Sequence, residues 1–385
     1  MTEHEQGANH DISGYAMKFS RDPEAAQQDT LSLVETLRDA GNLHVLKATP
    51  EHCFWGFFDQ ALPPVLTINS GDIVYVEALT HQAGSAPDLM MDSGMRAVYE
   101  QVCDRGPGMH IMTGPIAVRG AEPGDTLAVR ILKTAPRLPY GANIAAHWGH
   151  LYHSFKKERI TIYQLDVESG LAQPAFAYDF REKPLYNHPG LLVPPEVTTR
   201  EPIKTQVAIP LRPHFGIMGV APAQSDRLSS VPPGPFGGNI DNWRMGAGAT
   251  VYYPVFTPGA NFFVGDPHMG QGDGEISGTA IEASMNAWLQ ISLLKDFPVS
   301  SPLLETESHW ITHGFHNDLN QAVNQCADQM LDFLQTKQHM SADEAYALMS
   351  VAVDFGITQL VNQRRGCHAC LPKCLFLPTP DLSIS

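Results

Sequence analysis

One stretch of the sequence concentrates side chains that can bind a metal ion or transfer a proton. Between Gly265 and Glu275, eleven residues include three carboxylates, one histidine, one glutamine and four glycines. Carboxylates and imidazoles are ligands for zinc and other divalent ions, and they also act as general bases toward water. Asp266 and His268 are two residues apart, as are Asp273 and Glu275, so on a strand each pair would share a face. The pattern indicates a metal-binding or catalytic segment.

Two simpler interpretations of this segment stay open on spacing alone. Glycines allow a loop to adopt positive φ and to approach a ligand closely. A structural calcium loop or a solvated acidic loop would use the same residue types. The EF-hand pattern does not fit, because the sequence has neither the flanking helix pair nor the twelve-residue order of ligands.

Three other segments hold residues with similar chemistry. His110 lies in the glycine-rich stretch Gly106–Pro115, and on spacing alone a lone histidine in an apolar strand is more often a core residue. The segment His52–Asp59 is aromatic, and its Asp59 is compatible with a turn cap. Further candidate ligands follow a predicted strand, namely Glu77, His81, Asp88 and Asp92.

The cysteines near residue 370 are spaced as Cys367-x2-Cys370-x3-Cys374, with His368 after the first. This spacing can hold zinc or an iron–sulfur cluster, but no fourth cysteine lies close in sequence, and we favour a structural role. The sequence contains no Gly-x-Ser-x-Gly elbow, no Walker loop and no Gly-x-Gly-x-x-Gly after a strand.

The elements that must position these side chains are mostly strands. Ile73–Leu79 and Thr126–Leu132 each follow a Gly-Asp turn and alternate partly between apolar and polar residues, which predicts two strands of one β-rich core. A hairpin is predicted over residues 249–264, directly before the segment that begins at Gly265.

Helices are predicted in the last third of the chain. Asn317–Thr336 carries one apolar face, and Ser341 with Glu344 forms a capping box that begins a second helix. Asp29–Ala40 is also compatible with a helix. The predicted fold class is α+β, a β-rich sandwich or barrel-like core with a helical C-terminal portion. We divide the chain into an N-terminal extension (1–43), a β-rich N-terminal domain (44–235) and a C-terminal α+β domain that completes the active site (236–385).

Composition excludes several classes of protein. The chain has 385 residues and a net charge of −16, which argues against nucleic acid or an anionic membrane as a partner. The first residues lack the basic and apolar regions of a signal peptide, and prolines interrupt the uncharged stretch Ala247–Gly265. Six cysteines are too few for a secreted disulfide scaffold. We expect a cytoplasmic protein that acts on a small molecule.

Four parts of the sequence together resemble the acetamidase/formamidase family. They are His44–Asp59 with Leu62–Thr67, Gly108–Pro115 with Val118–Asp125, Gly237–Pro254 with Gly265–Glu275, and Ser350–Gln359. The resemblance extends from about residue 44 to residue 377.

The resemblance implies a metal-dependent amidohydrolase that cleaves the C–N bond of short aliphatic amides to a carboxylate and ammonia. It also implies zinc, with calcium as a second ion in some members, and assembly as a homo-oligomer. The positions that match the polar motif residues of the family are His110, Asp266, His268, Gln271, Asp273 and Glu275.

The sequence departs from the family pattern in two places. Thr80-His81-Gln82 stands where relatives often have two consecutive histidines, and Gly366-Cys367-His368 stands where the family has Gly-Val-His. The first departure could change the affinity for metal or substrate, and the second makes the cysteines particular to this chain.

On this basis we assign roles to individual residues. The predicted metal ligands are Asp266, His268, His110 and Asp59. The predicted catalytic residues are Glu275 and Asp273 as proton shuttles, His110, and Asn239 as a hydrogen-bonding partner of the amide. The predicted walls of the substrate pocket are Trp55, Phe57, Phe58, Trp243 and Gln271.

Two alternative functions are compatible with the same residues. The substrate could be a carbamate or a larger amide, selected by the segment between Thr134 and Pro235 if it lines the pocket. The chain could also be a non-catalytic binding protein for a small ligand, because a fold alone does not fix function.

Overall fold

The computed structural model describes residues 43–180, 190–205 and 207–376. The helix predicted over Asp29–Ala40 and most of the predicted N-terminal extension lie outside the described residues. Strands account for 40% of the described residues and helices for 16%, in agreement with the predicted α+β class.

The strands occur throughout the chain. The first eleven are β1 (Leu43–Leu46), β2 (Cys53–Trp55), β3 (Phe57–Phe58), β4 (Leu66–Ile68), β5 (Ile73–Ala78), β6 (Ile111–Val118), β7 (Thr126–Pro136), β8 (Tyr140–Ala145), β9 (Glu158–Asp166), β10 (Leu171–Phe180) and β11 (Glu201–Pro202). The others are β12 (Ile209–Pro210), β13 (His214–Gly219), β14 (Leu228–Ser229), β15 (Gly237–Asn239), β16 (Thr250–Pro254), β17 (Phe262–His268), β18 (Met285–Leu294), β19 (Leu303–Glu305), β20 (His309–His316), β21 (Asp354–Gln359) and β22 (Arg365–Pro372).

The helices are fewer, and the two longest lie in the last third of the chain. They are α1 (Pro87–Met90), α2 (Ser93–Gln101), α3 (Leu319–Lys337) and α4 (Ala342–Ala352), with short 3₁₀ turns at Ala83–Ser85, Pro195–Val197 and Lys373–Leu375. The predicted capping box is confirmed, because the Ser341 side chain accepts from the Glu344 N–H and the Glu344 carboxylate accepts from the Ser341 N–H.

Two large sheets form the framework of the fold. One has nine strands in the order β1-β5-β18-β7-β16-β19-β20-β22-β21, and the other has the order β15-β13-β17-β6-β2 with β4 also paired to β6. A third sheet has the order β11-β10-β9-β8 with β12 also paired to β10, and β14 pairs with β3. The two strands predicted after Gly-Asp turns are β5 and β7, which lie on either side of β18.

The main core lies between the two large sheets. Val74 and Ile131 from the nine-stranded sheet belong to the same buried apolar cluster as Ile116 and Val264 from the other large sheet. The arrangement therefore matches the predicted sandwich. A separate buried cluster, which includes Met330 and Leu371, joins α3 to β22 on the nine-stranded sheet.

The two parts of the chain predicted as separate domains share these sheets. In the nine-stranded sheet, β5 and β7 come from before residue 235, whereas β16 and β18 come from after it. The predicted domain boundary near residue 235 therefore falls between strands that belong to the same sheet. Among the described residues, no helix combines the length and the apolar character needed to cross a membrane.

Candidate active site

Strand pairing brings the central residues of the site together. β17 carries Asp266 and His268 on one face, as their spacing predicts. The strand extends to His268, further than the predicted hairpin, because it pairs with β13 as far as His214 opposite His268. On its other side β17 pairs with β6, which begins immediately after His110.

Asp266 lies at the centre of three imidazoles. Its Oδ1 is 3.6 Å from Nδ1 of His81, and its Oδ2 is 3.7 Å from Nε2 of His110 and 3.3 Å from Nε2 of His268. All four side chains are at least nine-tenths buried. The carboxylate is therefore surrounded by nitrogen donors and shielded from bulk water.

His268 connects Asp266 to a second group of polar side chains. Its Nε2 is 3.3 Å from Oε1 of Glu282, and its Nδ1 is 3.9 Å from Oδ1 of Asp241. The same Nδ1 is 3.2 Å from Nε2 of His214 and 3.1 Å from Oε1 of Gln271. The Gln271 amide in turn donates to the Asp241 carbonyl oxygen over 2.6 Å. We call His81, His110, Asp241, Asp266, His268, Glu275 and Glu282 the polar cluster.

Three carboxylates of the cluster have an unusual backbone conformation. Asp241, Asp266 and Glu275 have φ values of 55°, 49° and 44°, in the left-handed region that non-glycine residues seldom adopt. Such residues cost about 1–3 kcal/mol each and are concentrated at active sites and ligand sites. Their coincidence here indicates that the surrounding structure forces these carboxylates toward one point.

Gly216 in β13 leaves the space that two cluster residues occupy. A Cβ atom at this position would lie 2.5 Å from Oδ1 of Asp241 and 2.6 Å from Cε1 of His268. We expect Gly216→Ala to lower the free energy of unfolding by about 1–3 kcal/mol, because buried atoms must shift to admit the methyl group. Urea unfolding measures this, with Gly272→Ala as the control because nothing lies within 4 Å of a Cβ there. Equal unfolding free energies for the two variants would contradict the close packing.

The cluster forms one side of a small cavity. The cavity has a volume of about 200 Å³, which is below the roughly 300–1,000 Å³ typical of sites for drug-sized ligands. Its apolar lining consists of Met109, Trp148, Val231 and Val361. Its polar lining includes six cluster residues together with Asn239, Thr279, Asn362 and Gln363. The space therefore suits a small ligand with one polar and one apolar end.

Electrostatics keep three cluster residues in their deprotonated forms. Burial lowers the pKa of His81 to about 3, with a further contribution from His110, and burial also lowers the pKa of His110. Burial alone would raise the pKa of Asp266, but His110 and His268 outweigh it and hold that pKa below its ordinary value. Neutral imidazole and ionised carboxylate are the forms that bind metal ions.

The other carboxyl groups of the cluster retain protons more strongly. Burial raises the pKa of Asp241 to about 7 and that of Glu282 to about 8, and the charge of Asp266 adds to both shifts. Burial, followed by the neighbouring Asp241, raises the pKa of Glu275 well above its usual range. Groups whose environments separate their pKa values in this way can act as proton donors and acceptors.

The residues fit a divalent metal ion. Asp266 Oδ1, His268 Nε2, Asp241 Oδ1 and Glu282 Oε2 are buried and have no hydrogen-bond partner among the described residues. The separations of 3.3–3.7 Å around Asp266 exceed hydrogen-bond distances. They match the roughly 3.4 Å between two ligands that each lie about 2.0–2.1 Å from a tetrahedral zinc ion. One group with metal-ligand spacing consists of His81, His110 and Asp266.

Several predicted site residues do meet at this cavity. His110, Asp266, His268 and Glu275 belong to the cluster. Gln271, predicted to form a pocket wall, instead has its side-chain oxygen within hydrogen-bond distance of His214 and His268. Asn239, predicted as a hydrogen-bonding partner of the amide, lines the cavity, and its side-chain N–H donates to the Val231 carbonyl oxygen over 3.0 Å.

Two other predicted site residues, Asp273 and Trp243, lie outside this cavity. Asp273 accepts from the Trp243 indole N–H over 2.9 Å and forms two hydrogen bonds with the Arg244 guanidinium. The Trp243 ring lies between the guanidinium groups of Arg212 and Arg244, at 4.1 and 4.2 Å. These residues line a separate groove of about 770 Å³. They anchor the loop before Glu275, so we do not retain the predicted roles in catalysis and in the substrate pocket.

The structure also separates the first aromatic segment from the cluster. Asp59 accepts from the Ala61 N–H over 2.8 Å and lies 3.3 Å from Arg227, so it caps a turn rather than facing the histidines. The Trp55 indole donates to the Met109 carbonyl oxygen over 2.7 Å, behind the cavity wall. Phe57 and Phe58 are buried in the main core. We therefore withdraw the predicted role of Asp59 as a metal ligand and the predicted roles of these three rings as walls of the substrate pocket.

Local sequence patterns do not mark five residues that matter here: His214, Asp241, Glu282, Asn362 and Trp148. They mark His81 as a candidate ligand without giving it a role. One signal for Asp241 was its position after two consecutive glycines in the family-like stretch at 237–241. No comparable signal marks His214, because its partner His268 lies far along the chain and is reached only through strand register.

The cysteines of the C-terminal motif do not join any group with metal-ligand spacing among the described residues. Cys367 is buried and Cys374 is exposed, and both are free thiols. The structural role that we favour for them stays a prediction.

A buried carboxylate–imidazole cluster beside a small cavity is the arrangement expected of an enzyme active site. The model of the Acetamidase/Formamidase family matches residues 49–229 and 224–378, and the chain belongs to that family.

Individual relatives agree with this assignment. The chain is similar to a formamidase of Methylophilus methylotrophus, with 27% identity over 83% of this chain and 86% of that protein. It is similar to an acetamidase of Mycolicibacterium smegmatis, with 27% identity over 60% of this chain. The matched region spans 62% of that acetamidase and 65% of another curated relative, less than two thirds of either protein.

The fold is similar to that of a solved relative. The crystal structure of an acetamidase from Bacillus halodurans superposes with a TM-score of 0.67 and 25% identity, covering 86% of this chain and 98% of that one.

Proposed function

We propose that this protein hydrolyses short aliphatic amides, similar to formamide and acetamide, to a carboxylate and ammonia, and that it uses a divalent metal ion, zinc, to do so. The observation that carries the proposal is the buried polar cluster around Asp266 beside a cavity of about 200 Å³. Family membership supports the reaction class, and the small cavity supports a short substrate over a larger amide.

His81, His110 and Asp266 would hold the ion. They form one group with metal-ligand spacing, and they occupy the protonation states that metal binding needs. A bound zinc ion lowers the pKa of its water from 15.7 to about 7 and polarises a carbonyl oxygen. Ser230 supports this role of His110, because its hydroxyl lies 2.9 Å from Nδ1 and leaves Nε2 directed toward Asp266.

The remaining carboxyl groups would move the protons. Glu282, beside Asp266 and His268, would accept the proton of the attacking water, because the positive charge of a bound ion would lower its otherwise raised pKa. Glu275 would deliver a proton to the departing nitrogen, and the neighbouring carboxyl of Asp241, which has an oxygen within 4.8 Å of one on Glu275, helps to keep Glu275 protonated by raising its pKa. Protonation of the nitrogen allows it to leave as ammonia, and such proton transfer contributes about 10²- to 10⁴-fold to the rate.

Two side-chain amides would orient the substrate. Asn239 and Asn362 both line the cavity. The Asn362 amide donates to the Asn239 carbonyl oxygen over 3.1 Å and also to Asp241. Asn362 thus holds the backbone of Asn239, and the Asn239 side-chain N–H donates to the Val231 carbonyl oxygen over 3.0 Å, which fixes its carboxamide. The buried Oδ1 of Asn239 has no partner among the described residues and can accept from an amide N–H.

Three further expectations, namely a second ion, homo-oligomeric assembly and a cytoplasmic location, stay predictions.

The test combines an ammonia assay with metal removal. We expect the purified protein to release ammonia from formamide and acetamide, to lose this activity when a chelator removes its metal, and to regain it with added zinc. A chelator of matched charge that has been saturated with zinc serves as the control. Full activity in protein shown by mass spectrometry to be free of metal would exclude the metal from the reaction.

A further inference from the structure

A tight turn brings one indole ring to the cavity. Gly149 donates its N–H to the Ala146 carbonyl oxygen over 2.9 Å, which closes a turn around His147 and Trp148. The turn is bonded to the segment that follows Glu275, because the Ala146 N–H donates to the Ser277 carbonyl oxygen over 2.9 Å. Trp148 therefore lies beside the segment that carries a proposed catalytic carboxyl group.

Contacts on two sides fix the ring of Trp148. Its Nε1–H donates to the Gly278 carbonyl oxygen over 2.7 Å. The imidazole of His147 packs edge-on at a centroid distance of 4.8 Å, and His147 itself lies 2.7 Å from the Glu158 carboxylate. A Cβ at Gly278 would lie 2.9 Å from Trp148 Nε1, so the ring packs directly on the backbone. The indole is therefore a wall with little freedom to move aside.

The indole ring of Trp148 lies where the acyl part of an amide substrate would extend. An amide whose C–N bond lies over the polar cluster has its hydrocarbon end directed toward the apolar lining of the cavity. Among the four apolar residues of that lining, only Trp148 carries a ring, and it is held by hydrogen bonding rather than by packing alone. The other three are Met109, Val231 and Val361.

We propose that Trp148 sets the upper limit on the length of the acyl chain that the site accepts. This inference rests on the proposed amide hydrolysis. It assigns the choice of substrate to the segment between β8 and β9, and specifically to one side chain rather than to the metal-binding cluster.

The test compares amides of increasing length. We expect Trp148→Ala to raise the ratio of kcat/KM for butyramide to kcat/KM for acetamide by about tenfold or more, since one methylene in an apolar pocket is worth roughly 10- to 200-fold. Trp148→Phe is the matched control, because it keeps an aromatic wall but lacks the N–H. We expect its ratio to stay close to that of the wild type. A Phe variant that behaves like the Ala variant would show that an aromatic ring at this position does not exclude the longer acyl chain, and it would overturn a limit set by the aromatic wall.

The outcomes separate this inference from the proposed function. Wild-type activity on acetamide, together with an unchanged ratio in Trp148→Ala, would overturn the role of Trp148 and leave amide hydrolysis intact. Absence of ammonia release by the zinc-loaded wild type from every amide would overturn both. If thermal unfolding shows that Trp148→Ala does not fold, Trp148→Leu provides the same comparison with a larger side chain, and an unchanged ratio in that variant would likewise overturn the role of Trp148.

Discussion

Replacing Asp266 by asparagine is expected to reduce kcat/KM for acetamide by about 10²- to 10³-fold, the scale seen when one main electrostatic stabiliser of a reaction is removed. Asparagine keeps the shape of the side chain but not its charge. Three imidazoles lie 3.3–3.7 Å from the carboxylate and depend on it to form one site. Metal content, measured by mass spectrometry beside the ammonia assay, should fall in the same variant.

Asp59→Asn is the matched control for this substitution. The sequence suggested Asp59 as a ligand, but its carboxylate caps a turn at Ala61 and contacts Arg227. Its metal content and activity should equal those of the wild type. Retention of both properties in Asp266→Asn, or their loss in Asp59→Asn, would show that the ion binds elsewhere.

Glu275→Gln is expected to lower kcat for acetamide by about 10²- to 10⁴-fold, because glutamine cannot hold or deliver a transferable proton. Metal content should be unchanged, since the proposed ligands are His81, His110 and Asp266. Steady-state kinetics and metal analysis on the same preparation separate the two effects. A variant that loses its metal as well would make Glu275 a ligand rather than a proton donor.

Asp273→Asn provides the comparison within the same loop. Asp273 lies two residues before Glu275, but its carboxylate is partly exposed and bonds to Trp243 and Arg244. Partly exposed ion pairs have small effects, so we expect a loss of less than about tenfold. Losses of equal size in the two variants would assign the effect to a general disturbance of the loop.

Local patterns in the sequence predicted the elements and part of the site. The two-residue spacing of Asp266 and His268 placed them on one strand face, and both side chains lie in the polar cluster. The capping box at Ser341 located the start of α4. Both predictions depend only on residues close together in the chain, for which backbone periodicity and hydrogen bonding are decisive.

The same spacing rule failed for Asp273 and Glu275. The chain turns between them, with φ of 97° at Gly274 and 44° at Glu275, so the strand alternation no longer applies. Asp273 therefore lies in the groove beside Arg244, whereas Glu275 lies in the cavity. The remaining residues of the site, such as His214 and Glu282, depend on pairing between distant strands, which periodicity within one segment does not specify.

The interleaving of early and late strands in the same sheets has a consequence for how activity develops as the chain folds. His110, which directly precedes β6, meets Asp266 only after β6 and β17 have paired, and pairing between strands so distant in sequence is intrinsically slow. A partly folded intermediate that lacks this pairing cannot retain a weakened version of the centre. Refolding experiments should therefore show turnover returning only with the last phase of tertiary structure, and amide protons of β6 and β17 should exchange by global opening.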